Sequence, residues 1–570
     1  MNRGELTISS FNRENCKTGI VHLGVGNFHR AHQANYIDEY LNTSNNMNWG
    51  ICGINLRKED SKNFENLKSR KGKYILKTIS TSGDEKYKDI NSIIKLIDWS
   101  KDKDEAEDIL SNPDIKLVTM TITESGYYIN EKNKLNLNLE LIKNNIQGKE
   151  NNIIYSFLMA ALKKRMLSIN KKITLLCCDN IRENGKMLQD CLKKYLSASK
   201  EFELLEWIEE NVSFPSCVVD RITPRTPEFL KSDIMEKFNL KENCGVIAEP
   251  FIQWIVEDNF INERPKLEDV GVKFVKDVFP YEEAKIRILN GAHLALSYFG
   301  ALKGYTTYDE AISDKNLEQF FFEIQQKEIL PALVHKPFDL EEYMITIYER
   351  FKNKNIADKL ERIAMDGVGK FPIFILPTIH NCFEKNIIPE NCIDAIASWY
   401  VFMLKIKDKK LSFEYYEPSW EWIKYYLEEN KIVVLIKIKH RAVGYNELLS
   451  IDLFNKIKQK ICEKKFDFAR LMNMKTYYFK TTLEDLYGEV NVKDTKLEFN
   501  KIKNSSPPTR IFKTPDNLLG EEPVVKELEE GKIECSGDYG PEIQFNDTCF
   551  KHPKTKKEYG NCDGIDPSKL

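Results

Sequence analysis

Residues 18–41, TGIVHLGVGNFHRAHQANYIDEYL, open with an apolar run that stops at two glycines and pass into a polar segment whose apolar positions recur at helical spacing. Strand, tight glycine turn, helix is the order this implies. Three further short apolar runs follow, NWGICGI near residue 50, IKLVTMTIT near 118 and KKITLLCC near 175, each separated from the next by a stretch long enough for a helix. Strands that alternate with helices pair in parallel through crossover connections, so an α/β fold is expected.

The texture changes at Pro280. Beyond it come long amphipathic segments, YEEAKIRILNGAHLALSYFGAL, NLEQFFFEIQQKEILPALV and EEYMITIYERFKN, with few strand-like runs until KIVVLIKIK near 435. With 570 residues the chain is too long for one ordinary core. The expected division is therefore a first, strand-bearing domain over 1–280, a mainly α-helical domain over 281–500, and a weakly ordered tail over 501–570. That tail is rich in Pro, Gly and charge, without a period.

Acidic and basic residues nearly cancel, to a formal net charge of -3, so no global field steers the chain to nucleic acid or anionic lipid. Basic residues are interspersed with acids and form no aromatic-flanked stripe, which argues against a nucleic-acid role. The N-terminus lacks the apolar core of a signal peptide, and no stretch approaches the roughly 20 apolar residues that span a bilayer. A soluble, cytoplasmic protein is expected, with no membrane or nucleic-acid partner, either monomeric or weakly homo-oligomeric. Thirteen cysteines are scattered without a CxxC pair, which points to buried thiols rather than a disulfide framework or a zinc site.

Gly24-Val25-Gly26-Asn27-Phe28 supplies two glycines spaced as in a dinucleotide-binding fingerprint, with Phe28 and His29 standing before the place of a third. Glycines let a backbone approach a pyrophosphate, and a helix that starts there offers unpaired N–H groups. A carboxylate after the second strand would hold the adenosine ribose. Glu59 or Asp60 could do so, although both lie farther on than the usual spacing of about 20 residues. Arg57 and Lys58 beside them could instead meet a 2'-phosphate, so NAD is favoured, with NADP as the alternative.

The segment from Glu282 to His293, EEAKIRILNGAH, carries the chemistry. At about 100 degrees per residue, Glu282, Lys285, Asn290 and His293 fall within an arc of roughly 140 degrees on an otherwise apolar helix. Such a face either packs on a polar site or meets water. In a closed pocket, desolvation would favour the neutral amine of Lys285, which could then accept the proton of a secondary alcohol as hydride leaves the same carbon. Asn290 could stabilise the resulting oxyanion, and Asn180, after a buried-looking strand in CDNIRENG, is a second candidate amide donor. No metal is required.

Five blocks, IVHLGVGNFHRAHQANYID, TITESGYY, CDNIRENG, VVDRITPRT with EPFIQW, and YEEAKIRILNGAH, resemble in order the polyol-specific long-chain dehydrogenases, the family of mannitol 2-dehydrogenase and the fructuronate and tagaturonate reductases. A weaker echo lies in DGVGKFPIFILPTI, while residues 404–500 depart from the family's pattern. The resemblance implies a Rossmann-like N-terminal domain, a mainly helical C-terminal domain and an active site between them. In its K-x4-N-x2-H pattern Lys285 takes the place of the catalytic lysine, with Asn290 and His293 holding substrate. It implies that Asn180 helps form the oxyanion hole, that Glu282 serves proton exchange with solvent, and that Asp220 lies beside the cleft as a substrate-binding residue. Gly24, Gly26 and Phe28 fall on the nucleotide turn. Near Arg362 and Lys370 the resemblance is too thin to carry substrate choice.

The expected activity is thus a metal-independent, NAD(P)-dependent oxidoreductase between a mannitol-like sugar alcohol and a fructose-like ketose. A uronate reductase and a hexitol-phosphate dehydrogenase of the same family are the rival enzymes. From another class, a non-catalytic nucleotide-binding protein would keep the fold without the chemistry, but Lys285, Asn290, His293 and Asn180 are all intact.

Overall fold

The computed structural model describes residues 5–130, 133–411, 413–418 and 420, and four short strands farther on. The run near 435 and most of the 501–570 tail lie outside the described residues. Within that tail Val524–Glu527 pairs antiparallel with Ile533–Ser536, and Phe550–Lys551 with Glu558–Tyr559. By its contacts the chain divides into two compact units. The first holds Met1–Leu289, Thr307–Ser313 and His335–Lys359, and the second holds Asn290–Thr306, Asp314–Val334 and Leu360–Leu570.

The four apolar runs of the sequence become the parallel strands β1 (Thr18–Leu23), β2 (Gly50–Asn55), β4 (Leu117–Met120) and β5 (Ile173–Cys177), and two strands that the sequence reading did not name, β3 (Ile93–Asp98) and β6 (Val212–Ser213), join them. They lie in the order β3-β2-β1-β4-β5-β6, and every neighbouring pair is parallel. Both faces of β1, β2, β4 and β5 are covered, which is why these strands read as continuous apolar runs, whereas β3 exposes Lys95. Val21 and Leu23 pack on one side with Ile54, Val118, Phe157 and Leu188, whereas Ile20 and Ile51 pack on the other with Tyr36, Ile37 and Leu41. The order reverses between β1 and β4, and the crevice outside the carboxyl ends there is where open α/β sheets take ligands.

The helix expected after the glycine turn is two helices, α1 (Asn27–Ala31) and α2 (Gln33–Thr43). His32 leaves helical dihedrals at φ -116 and ψ -86, and its Nε2 meets the carbonyl oxygen of Gln253 at 2.8 Å. Helices α3 (Ile154–Ser168) and α4 (Asn184–Ala198) cover one face of the sheet.

Two smaller sheets complete the first unit. One joins Leu6–Ile8, Glu85–Ile90, Tyr74–Ile79 and Val246–Ala248. The other comprises β7 (Cys217–Asp220), antiparallel to β8 (Gln253–Glu257), which is parallel to β9 (Lys273–Val275).

The segment expected to be one helix from Tyr281 is α5 (Phe279–Lys285), a π-helical stretch Ile286–Gly291, and α6 (Ala292–Lys303). Pro280 sits in the first turn of α5, where its missing N–H costs nothing. Helix α7 (Leu340–Phe351) belongs to the first unit. Up to residue 420 the described part of the second unit is mainly helical: α6 buries Leu294, Leu296 and Tyr298, packs against α8 (Glu390–Lys407), and satisfies the Tyr298 hydroxyl on the carbonyl of Ala364 at 2.9 Å.

The nine cysteines within residues 5–420 are all free thiols, and all but Cys16 are buried. Among the described residues no helix is long and apolar enough to cross a membrane.

Candidate active site

Within the first unit the structure brings Lys285, Asn180, Asp220 and Glu282 together. Lys285 closes α5 and is buried, with Nζ donating to Asn180 Oδ1 at 2.7 Å and to the carbonyl oxygen of Val219 at 2.8 Å. Both acceptors come from carboxyl ends of strands, Asn180 from just past β5 and Val219 from β7. Burial pushes the Lys285 pKa down. Asp220, Glu282 and Cys217 pull the other way, while the nearby Arg350 guanidinium adds to the fall.

Two neighbours hold this geometry. The buried Asp179 carboxylate accepts from the backbone N–H groups of Ile122 and Thr123 at 2.9 and 3.0 Å and from the Tyr127 hydroxyl at 2.7 Å. It thereby ties the loop after β4, which contains the TITESGYY block, to the end of β5. On the other side, Asp220 at the end of β7 is gripped by Arg350 of α7, with Nη1–Oδ2 at 2.7 Å and Nη2–Oδ1 at 2.8 Å. Burial alone would raise the Asp220 pKa, but Arg350, Lys285 and His32 outweigh it and hold the carboxyl below its ordinary range.

One turn before the lysine, Glu282 accepts the backbone N–H of Glu183 at 3.1 Å and lies 3.8 Å from Arg182. Burial raises its pKa to about 7, against the opposing pull of Arg182, that N–H and Lys285.

Asn290 and His293 continue the same helical segment but fall in the second unit, where His293 is buried. The intervening π-helical stretch winds more residues per turn than an α-helix, so the single arc expected of Glu282, Lys285, Asn290 and His293 does not describe the winding between Lys285 and Asn290.

The glycine turn follows β1 into α1. Gly24 has φ +90, and a Cβ there would collide with the carbonyl oxygen of Thr121, so only glycine fits. Above Gly26 nothing lies within 4 Å of where a Cβ would stand, leaving its backbone open to a close approach. Phe28 stacks on His32 at 5.0 Å between ring centroids. Glu59 and Asp60 lie on a short turn after β2. Glu59 is exposed, and Asp60 pairs with Arg57 at 2.7 Å.

The sequence reading passed over three buried groups. His22 on β1 bonds Thr119 Oγ1 at 2.7 Å and Thr121 Oγ1 at 2.9 Å, and stacks on His29 at 3.4 Å; burial lowers its pKa to about 3, so it is neutral at any working pH. Asp179 had no signal beyond its place at a strand end. Arg350 did have one: the buried stripe of α7 runs Leu340, Tyr343, Met344, Ile347, Arg350, Phe351, and a charge on such a stripe calls for an opposite charge behind it. A cavity in the second unit, lined by Phe320, Lys327, Glu328 and Asn391, contains none of the expected site residues.

A parallel sheet of this strand order, with a glycine turn after its first strand, puts the first unit in the Rossmann class of dinucleotide-binding folds. The Rossmann-domain model of mannitol dehydrogenase matches residues 18–269, and the C-terminal-domain model of mannitol dehydrogenase matches 277–477. The chain belongs to the mannitol dehydrogenase family, whose members are polyol oxidoreductases. The second match reaches well into the stretch 404–500 that the sequence blocks alone set apart from the family.

A D-arabinitol 4-dehydrogenase of Klebsiella pneumoniae is 35% identical over 399 residues, 69% of this chain and 86% of that one. A mannitol 2-dehydrogenase of Aspergillus fumigatus is 36% identical over 414 residues, 71% and 82% respectively. Among solved structures, the Pseudomonas fluorescens mannitol 2-dehydrogenase ternary complex with NAD and D-mannitol superposes with a TM-score of 0.70 at 32% identity, covering 87% of this chain and 97% of that one.

Proposed function

We propose that the protein is an NAD-dependent polyol dehydrogenase that interconverts a mannitol-like sugar alcohol with its ketose, using Lys285 as general base. The observation that carries this reading is the buried Lys285 amine held by two uncharged acceptors, Asn180 Oδ1 and the Val219 carbonyl. Desolvated and without a carboxylate in direct hydrogen bond, it gives up its proton more readily than an exposed lysine, as a general base must.

In polyol oxidation Lys285 Nζ takes the hydroxyl proton of the reacting carbon. Because Asn180 presents Oδ1 to the lysine, its Nδ2–H donors are left for the oxygen that gains negative charge. Asn290 and His293, farther along the same helical segment, take the substrate-holding places of the K-x4-N-x2-H pattern, and Asp220 serves from behind the lysine. Glu282, with a pKa near 7, passes the proton on to solvent. The bound dinucleotide supplies a hydride acceptor. Gly24 and Gly26 fit its pyrophosphate, with Phe28 beside the turn and Glu59 or Asp60 for the adenosine ribose. NAD is the form favoured, since Arg57 is already paired with Asp60 and the solved Pseudomonas fluorescens relative carries NAD.

The test is oxidation of NADH or NADPH, followed by absorbance, against fructose, the ketose of arabinitol, fructuronate and fructose 6-phosphate, for the native chain and Lys285→Ala. Turnover of an uncharged ketose that collapses in the variant supports the reading. Turnover of fructuronate or the phosphate alone moves the enzyme to the uronate or hexitol-phosphate branch. No turnover of any of them favours a nucleotide-binding protein without chemistry. A rate unchanged by a chelator is expected.

A further inference from the structure

The guanidinium of Arg350 serves two buried carboxylates. It meets Asp220 through both terminal nitrogens, and it meets Glu249 through Nη2–Oε1 at 2.8 Å and Nε–Oε2 at 3.0 Å. Its charged plane lies 4.1 Å over the ring of Phe251. Glu249 is fixed in turn, because its Oε1 accepts the N–H of Ile222 at 2.5 Å and its backbone carbonyl accepts from Arg221 Nε at 3.0 Å. Arg350 comes from α7, 130 positions beyond Asp220, so two distant parts of the chain meet at this point. Ion pairs this deeply buried are poor contributors to stability against an apolar alternative, which directs attention to what the arrangement does for its neighbour.

We propose that Arg350 is a positioning residue for proton transfer: by clamping Asp220 against Glu249 and offsetting its charge, it lets Lys285 work as a neutral amine while a carboxylate stands behind it. The proposal rests on Lys285 being the general base.

The groups facing Lys285 set the sign. Asp220 and Cys217 reach it from β7, Glu282 from its own helix, Arg350 from α7, and His32 from the break between α1 and α2; burial keeps His32 uncharged, with a pKa near 3. Asp220 favours the ammonium form and Arg350 opposes it. Removing the arginine charge leaves Asp220 uncompensated, so Lys285 holds its proton to higher pH. Removing the Asp220 charge does the reverse. Arg350→Lys keeps a charge but, as a point donor, cannot fork across two carboxylates.

The experiment is the pH profile of kcat/KM for polyol oxidation in the full-length enzyme. It is measured for the native chain, Arg350→Gln, Arg350→Lys, Asp220→Asn and the double variant Arg350→Gln/Asp220→Asn, with Lys285→Ala as reference. In Arg350→Gln the acid limb is expected to move up by about one pH unit or more, with rate recovering at high pH. Arg350→Lys should shift it less, Asp220→Asn should shift it down, and the double variant should return toward the native limb. A fall in kcat/KM by one factor at all pH values in Arg350→Gln, or a double variant that shifts as far as Arg350→Gln alone, overturns the proposal. If Arg350→Gln does not fold, a downward shift in Asp220→Asn and a small upward shift in Arg350→Lys carry the proposal, and an unmoved limb in both overturns it. An active Lys285→Ala with the native profile would instead overturn the general-base reading beneath it.

Discussion

Lys285 Nζ lies 2.7 Å from the side-chain oxygen of Asn180, although 105 positions separate the two residues in the chain. The contact fixes the asparagine as well as the lysine, since an amide whose oxygen is taken turns its N–H donors the other way.

Removing the base and removing the donor should therefore differ. Lys285→Ala is expected to lower kcat by about 10² to 10⁴-fold at neutral pH, the range attributed to a positioned proton acceptor. Asn180→Asp keeps the shape but replaces the N–H donors with a charge that favours the ammonium. Its rate should fall and its acid limb should move to higher pH, whereas Asn180→Ala should lose rate with little upward movement. Steady-state kinetics across pH for the three variants would check this. An Asn180→Asp profile lying on the native one would contradict the assignment.

Glu282 has a consequence for stability. Its folded-state pKa of about 7 stands above the ordinary 4.5, chiefly through burial. Between these values the native chain binds a proton that the unfolded chain does not, so stability contributed by this site is present below about 4.5 and is lost as pH rises through 7. The full cost above pH 7 is of the order of 3 kcal/mol. Glu282→Gln, which cannot ionise, should gain on the native enzyme as pH rises from 4.5 to 7 and hold a constant advantage beyond. Urea denaturation of both proteins over that range measures it, and a difference flat in pH would refute it.

The two glycines of the turn should respond oppositely. Gly24 pairs a left-handed backbone with a neighbouring carbonyl, so Gly24→Ala should cost about 2 kcal/mol or more in the free protein. Gly26 has an ordinary extended backbone, φ -80 and ψ -176, beneath open space. Gly26→Val should melt within about 0.5 kcal/mol of the native chain yet bind NADH at least tenfold more weakly, by fluorescence titration. Native affinity in Gly26→Val would mean that the cofactor backbone does not pass over this residue.

These contrasts also mark what the amino-acid sequence makes legible. The central strands are readable because burial on both faces leaves them uniformly apolar, and the Lys285 segment is readable because polar residues interrupt an apolar helix at regular spacing. The break at His32 is not, since its dihedrals go with a contact to Gln253, 221 positions away. The π-helical stretch is equally hidden, because no local residue pattern demands an extra residue in the turn. Strands as short as β6 or β7 carry no period to detect. Arg350 was half visible: its place on the buried stripe of α7 signals an ion pair, but only the fold reveals that Asp220 and Glu249 are the partners.

On the proposed reading, cofactor choice is expected to turn on the pair Arg57–Asp60. Arg57 donates to Asp60 through both Nε and Nη2, at 2.8 and 2.7 Å, on an exposed turn after β2. Such a pair contributes little to stability, so its rearrangement is cheap. While Asp60 is present, the guanidinium is occupied and a 2'-phosphate would meet two carboxylates, Glu59 and Asp60. Asp60→Ser removes one of them and frees Arg57 to fork onto the phosphate, with Lys58 beside it. The ratio of kcat/KM for NAD over NADP should therefore fall by about one to two orders of magnitude, through the KM of NADP rather than kcat, as expected of a contact made equally in ground and transition states. Adding Arg57→Ala should restore most of the NAD preference. If Asp60→Ser leaves the ratio unchanged, neither this carboxylate nor Arg57 faces the adenosine ribose, and cofactor choice lies elsewhere on the turn.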